Sequence, residues 1–198
     1  MSKNMTVEKT FASAIQNHQK NNFKAAEDLY NQILEIDPNH IKTIFFLGTL
    51  SVQTKNFDRA KQMLQKTIQA QPNNVDAYNN LGVVFKEFEE FQKAKDCFEK
   101  VIQIQPKHVD ALNNLGNVFK QLNEPQKAIN YYQKAIEIEP SYINAHQNLM
   151  DVCEKTNQIT ELKDAVSNAR TFFKDNSIIK LYEGILLSRN EKFVEAKN

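Results

Sequence analysis

Few side chains in this sequence could ligate a metal or attack a bond: four histidines, His18, His40, His108 and His146, and two cysteines, Cys97 and Cys153. A zinc site needs Cys or His pairs at short spacing that converge on a tetrahedron, and neither cysteine has such a partner. His40 and His108 fall in equivalent loops and His18 and His146 on different helices, so spacing pairs no general acid with a base. There is no G-x-x-x-x-G-K-[ST], G-x-G-x-x-G or G-x-S-x-G sequence, and the acidic pair Glu89-Glu90 lies in an inter-helix turn where solvation accounts for it. These residues predict no catalytic site, no metal and no cofactor, and they assign Cys97 and Cys153 to packing. The richer pattern is amide chemistry. Asn80, Asn114 and Asn148 are spaced by 34 and 34, and a carboxamide offers both a donor and an acceptor.

The same ruler measures the whole chain. Pro38, Pro72, Pro106 and Pro140 are each 34 apart, as are Gly48, Gly82 and Gly116, with Gly184 a further 68 on. A period of this length implies stacked supersecondary units rather than one compact fold. Within residues 75–108, Ala77, Leu81, Val84, Phe85 and Phe88 recur at helical spacing, and after Glu89-Glu90 a second set follows: Phe91, Ala94, Phe98, Val101 and Ile102. The unit is therefore two amphipathic helices and a turn, closed by a proline that cannot continue a helix. Units 41–74 and 143–176 are looser, carrying Ser51 for an aromatic and Lys174 for the proline. Gly82, Gly116 and Gly184 are expected where a neighbouring helix comes too close for a side chain.

Composition excludes several partners. With 25 Lys+Arg against 24 Asp+Glu the net charge is +1, too small for counterion release to drive nucleic-acid binding. No run approaches the roughly 20 apolar residues of a membrane span, and MSKNMTVEKTFASAI lacks the apolar core of a signal peptide. The chain thus predicts no nucleic acid, no membrane and a cytoplasmic location. Two cysteines make no disulfide framework.

Counted from Val75, the unit places Tyr78, Leu81, Gly82, Phe85, Ala94, Phe98, Val101 and Pro106 at positions that resemble the tetratricopeptide (TPR) signature. The next unit repeats it with Leu112, Leu115, Gly116, Phe119, Ala128, Tyr132, Ala135 and Pro140; Pro125 replaces an aromatic there and suits a first helical turn. The resemblance implies an all-α fold, a right-handed α-solenoid of helix-turn-helix repeats. Its units are 7–40, 41–74, 75–108, 109–142, 143–176 and a truncated 177–198, forming one solenoid after a tail over 1–6. The first unit keeps Ala26, Tyr30, Ile33 and Pro38 but carries Thr10, Ser13, Ala14 and Asn17 in its first helix, as an end-cap would. The sixth has Gly184, Phe193 and Ala196 in register and lacks most of its second helix, so Ile185 and Leu186 are expected to be uncovered and open to association with another copy.

TPR solenoids present positions two, five, six, nine, twelve and thirteen of successive first helices to their ligands. By that resemblance Asn79, Asn80, Asn113, Asn114, Asn117 and Asn148 line a peptide-binding groove, similar to the asparagine ladder in the TPR region of O-GlcNAc transferases. The alternative is that they are solvated or structural. Near the amino terminus Phe11, Phe45 and Phe46 take groove positions; they form either an apolar binding patch or part of the inter-helix core. The basic clamp with which chaperone-binding TPR domains grip a terminal carboxylate is missing, since its slots read Phe11, Asp76, Asn80 and equivalents. The resemblance implies a non-enzymatic scaffold that binds an extended peptide or helix of a partner protein. Its rival is the substrate-recruiting arm of a larger glycosyl- or sulfotransferase with a catalytic domain beyond Asn198, which reading the frame past Asn198 would decide.

Overall fold

The computed structural model describes the backbone of residues 3–195 and the side chains of residues 6–189. Among them are eleven α-helices: α1 (Lys3–Gln19), α2 (Phe23–Ile36), α3 (Ile41–Gln53), α4 (Phe57–Ala70), α5 (Val75–Glu87), α6 (Phe91–Ile104), α7 (Val109–Gln121), α8 (Pro125–Ile138), α9 (Ile143–Lys155), α10 (Ile159–Phe172) and α11 (Ser177–Glu195). The fold is an all-α repeat solenoid of helix-turn-helix units. Two compact units divide it, residues 1–104 with α1–α6 and residues 105–198 with α7–α11. In the first, α1, α3 and α5 pack against α2, α4 and α6 as successive hairpins, and α5 also lies beside α3; in the second, α7–α8 and α9–α10 form the hairpins and α9 lies beside α7.

Four of the second helices, α2, α4, α6 and α8, each drive one large side chain into their own hairpin. Tyr30, Leu64, Phe98 and Tyr132 are wholly buried, and opposite the last three a glycine makes room. A Cβ on Gly48 would meet Leu64 and Met63 at 3.1 Å, and one on Gly82 would meet the Phe98 ring at 2.6 Å. One on Gly116 would sit inside the contact distance of the Tyr132 ring.

The turn inside each hairpin is the same device five times. Asn21, Lys55, Glu89, Asn123 and Asn157 have φ of 58–60°, the left-handed conformation that ends a helix in a Schellman motif. The bonds that define it are present. In the third hairpin the Glu89 N–H donates to the Lys86 carbonyl at 3.0 Å and the Glu90 N–H to the Phe85 carbonyl at 2.9 Å. His40 and His108, which the sequence left in loops, cap α3 and α7 by accepting from the N–H of Thr43 and Ala111.

The ends differ from expectation. α1 begins at Lys3, inside the segment expected as a tail. α11 runs 19 residues without a turn, through the place where a second helix would start. Gly184 therefore has no close contact: a Cβ there meets nothing within 4 Å. Ile185 and Leu186 are half-buried, and among the described residues the large apolar side chains that α11 exposes are Leu181 and Leu187, 60 and 65% accessible. The Phe193 side chain and Ala196 lie outside the described residues.

Candidate functional site: the first-helix face

In the first unit, α3 and α5 bring Asn80 beside Thr49, and the Asn80 Nδ2–H donates to Thr49 Oγ1 at 3.2 Å. Thr49 in turn donates to the Phe45 carbonyl at 3.1 Å. Asn79 is half-buried, and its Oδ1 is buried without a hydrogen-bond partner among the described residues.

In the second unit the asparagines are tied more tightly. The Asn148 Nδ2–H donates to Asn113 Oδ1 at 2.9 Å, and Asn113 is only 6% exposed. Asn117 Oδ1 accepts from the Tyr132 hydroxyl at 2.8 Å. Asn114 is half-buried, with no side-chain hydrogen bond among the described residues. Beside them Asp151 pairs with Lys155 at 2.9 Å and with Lys120 at 3.2 Å. Burial pushes the Asp151 carboxyl up, but the hydrogen bonds from the two lysines outweigh it and hold the group below its ordinary value. On this face Asn113, Asn117 and Asn148 each make a hydrogen bond within the unit and Asp151 is paired, while Asn114 is not bonded among the described residues.

The aromatic residues expected near the amino terminus do come together. Phe11 and Phe46 lie 5.6 Å apart and Phe45 and Phe46 5.2 Å apart, edge to face, and Phe46 stacks on Tyr30 at 6.4 Å. All three phenylalanines are half-buried; Phe11 and Phe46 pack on the core of Ala14, Ala26, Tyr30, Leu47 and Leu50. Their rings are thus part core and part surface.

Beside them is a feature the sequence reading missed. A cleft of about 360 Å³ opens between α1 and α3, lined by Ile15, His18, Gln19, Asn21, Phe46, Thr49 and Gln53. Every lining residue but Asn21 occupies one of the groove positions of a first helix: nine, twelve and thirteen of α1, six, nine and thirteen of α3. That coincidence was available in the sequence, but the apolar residues were read there without their polar neighbours. At the back of the cleft His18 Nε2 is 2.9 Å from Gln53 Oε1 and its Nδ1 is 3.2 Å from the Tyr30 hydroxyl.

The remaining reactive side chains are sequestered. Burial pushes the Cys97 thiol up to about 12 and that of Cys153 to about 11, far from the thiolate range that reactivity needs. Among the described residues no three His, Cys, Asp or Glu side chains are grouped to hold a metal ion, and no helix is long and apolar enough to cross a membrane.

Tetratricopeptide repeat family models match residues 18–82, 75–108 and 109–142. The chain belongs to the tetratricopeptide repeat family. Among solved structures, MamA is 26% identical, with a TM-score of 0.76 over 85% of this chain and 92% of its own. Pseudomonas aeruginosa PilF is 18% identical with a TM-score of 0.80 over 96% of this chain and 86% of its own. YrrB, described as a TPR protein with an unusual peptide-binding site, is 16% identical with a TM-score of 0.74, covering 93% of this chain and 98% of its own. No curated protein sequence matches the chain. The TPR repeats support, in general terms, a protein-interaction scaffold.

Proposed function

We propose that this TPR protein holds an extended peptide segment of a partner protein on its first-helix face, through the peptide backbone rather than through a charged terminus. One observation carries the reading. Asn80 and Asn148 each donate an amide hydrogen to the first helix of the preceding repeat, while neither Oδ1 has a partner among the described residues. The inter-repeat bond fixes the carboxamide, so a peptide N–H meets an acceptor whose ordering cost is already met. Full bidentate pairing with a free carboxamide, as the spacing alone suggests, gives way to acceptance at Oδ1 with one amide hydrogen left to donate. The lysines nearest this face in the second unit are occupied by Asp151, which argues against recognition of a carboxylate.

The test is the triple variant Asn80→Ala, Asn114→Ala, Asn148→Ala titrated against a partner recovered by pull-down, at low and high salt. Affinity should fall by about 0.5–1.5 kcal/mol per hydrogen bond lost, with little salt dependence, since no exposed charge pair is broken. A thermal melt accompanies it, because removing Asn148 leaves the buried Asn113 Oδ1 unpaired at a cost of about 1 kcal/mol. Unchanged affinity in a folded variant would return the asparagines to a purely structural role.

A further inference from the structure

We infer that the cleft between α1 and α3 is a side-chain subsite that receives one large apolar residue, leucine or phenylalanine in size, of an extended peptide, and that Gln53 donates a hydrogen bond to the backbone carbonyl beside that residue. The inference rests on the groove reading above and adds to it what the groove selects.

The polar atoms of the cleft are arranged by a relay that begins in the core at Tyr30 and ends at the surface on Gln53. Gln53 Oε1 only accepts, so His18 Nε2 donates to it, and Nδ1 pairs with the Tyr30 hydroxyl. His18 is 9% exposed and Tyr30 wholly buried, so water does not compete for the Tyr30–His18 bond, and the part-buried second bond carries the chain out to Gln53, which is exposed. The far end of the chain is the Gln53 amide nitrogen. With Oε1 bonded to His18, the Gln53 carboxamide is oriented and its two N–H donors remain unused among the described residues. A donor fixed at the rim of an apolar cleft suits a carbonyl, and a carbonyl flanks every side chain of a peptide.

The cleft itself is complementary to an uncharged side chain. Ile15 and Phe46 supply the apolar wall and Gln19, Thr49 and Asn21 the polar remainder. No lining residue carries a fixed charge, and both nitrogens of His18 are engaged, so a lysine or glutamate entering here would lose its hydration with no counter-ion. A side chain of leucine or phenylalanine size buries enough apolar area to favour entry by about tenfold or more. Thr49 joins this subsite to the rest of the unit: it lines the cleft and accepts the Asn80 hydrogen bond. A backbone leaving the cleft along α3 therefore meets the Asn80 carboxamide next, which is why an extended peptide, rather than an isolated small molecule, is the occupant.

The experiment is an NMR titration of the full chain with acetylated, amidated nonapeptides of glycine and serine that differ only at a central Phe, Leu, Ala, Lys or Glu. The Phe and Leu peptides should shift the amides of Ile15, Thr49 and Gln53 and bind at least about tenfold more tightly than the other three. Gln53→Glu keeps the acceptor for His18 but replaces the N–H donors with oxygen, and should weaken the Phe peptide by about three- to tenfold. Ile15→Ser should erase most of the preference for Phe over Ala. Melting temperatures of both variants near that of the parent chain exclude misfolding as the cause. Binding that shifts α5 amides equally for all five peptides, indifferent to Gln53→Glu and Ile15→Ser, would overturn the subsite and leave the backbone groove standing. No shift on any first helix, α1, α3, α5, α7 or α9, with any peptide would overturn both.

Discussion

At Gly116 a single added carbon is enough to separate packing from mere tolerance. A Cβ there would intrude on the buried Tyr132 ring, whereas at Gly184, at the same slot of the last repeat, it would meet nothing within 4 Å. Gly116→Leu should therefore overpack its hairpin and lower stability by about 1–3 kcal/mol, while Gly184→Ala should be neutral or raise it by up to about 1 kcal/mol through helix propensity. Thermal melts of the two variants check the contrast, and equal effects would refute it. His146 gives a second residue-scale expectation. Its ring is wholly buried, lies 5.5 Å from Phe173 and 6.2 Å from Phe172, and has Nδ1 unpaired. Burial pulls its pKa below the ordinary 6.5, only partly offset by the Nε2–H bond to the Pro140 carbonyl at 2.9 Å. Below 6.5 the unfolded chain then binds the proton more readily than the folded one. The His146 contribution is thus complete above that pH and lost as pH falls through the lowered folded value. Denaturant melts from pH 7.5 to 5 should show a loss that His146→Leu, which copies Leu112 in α7, removes.

Between helices the recurring element is the left-handed residue that closes each first helix, and it explains much of what the sequence did and did not disclose. The helix pairs were legible because apolar residues at helical spacing, prolines two residues past each of the first four second helices and glycines opposite large side chains all repeat with one period. The turns were not. Asn21, Asn123 and Asn157 suit positive φ, but Lys55 and Glu89 adopt the same conformation with side chains that gain nothing from it. The repeated Schellman geometry imposes the conformation, not local preference. Glu89→Gly should relieve this and raise stability by up to about 1 kcal/mol, less what the freer unfolded chain costs; chemical denaturation gives the sign. The site was legible in part for a related reason. Residue types and register marked the face, but whether a carboxamide is free depends on a neighbour about one period away, such as Thr49 for Asn80, Asn113 for Asn148 or Gln53 for His18. No spacing rule states which of these pairs will bond.

Over the whole molecule, stability in a repeat array is a sum of local units and nearest-neighbour interfaces, so it is uneven along the chain. The last helix is the weak end for a reason written in its own residues. At the two slots that hold Ile44 and Leu47 in α3, Tyr78 and Leu81 in α5, and Leu112 and Leu115 in α7, α11 has Lys180 and Glu183. It is attached instead by Ile179, which is wholly buried, and by ion pairs from Arg189 to Glu154 at 2.7 Å and from Arg170 to Glu183 at 3.3 Å. The partly exposed pairs contribute about 0–1 kcal/mol each, far less than a buried hairpin core. Leu181 and Leu187 remain in solvent, and Gly184 has no facing ring. Native-state hydrogen exchange should therefore show amides over 177–189 opening at much lower free energy than those of α7 and α8, which share Leu115, Phe119, Ala128 and Tyr132 in one buried core. Raising salt to 1 M should widen the difference, because it screens the Arg189 and Arg170 pairs and leaves the apolar hairpin intact. Protection over 177–189 equal to that of α7 and α8 at low protein concentration, unchanged by salt, would mean that α11 is held by something other than these contacts.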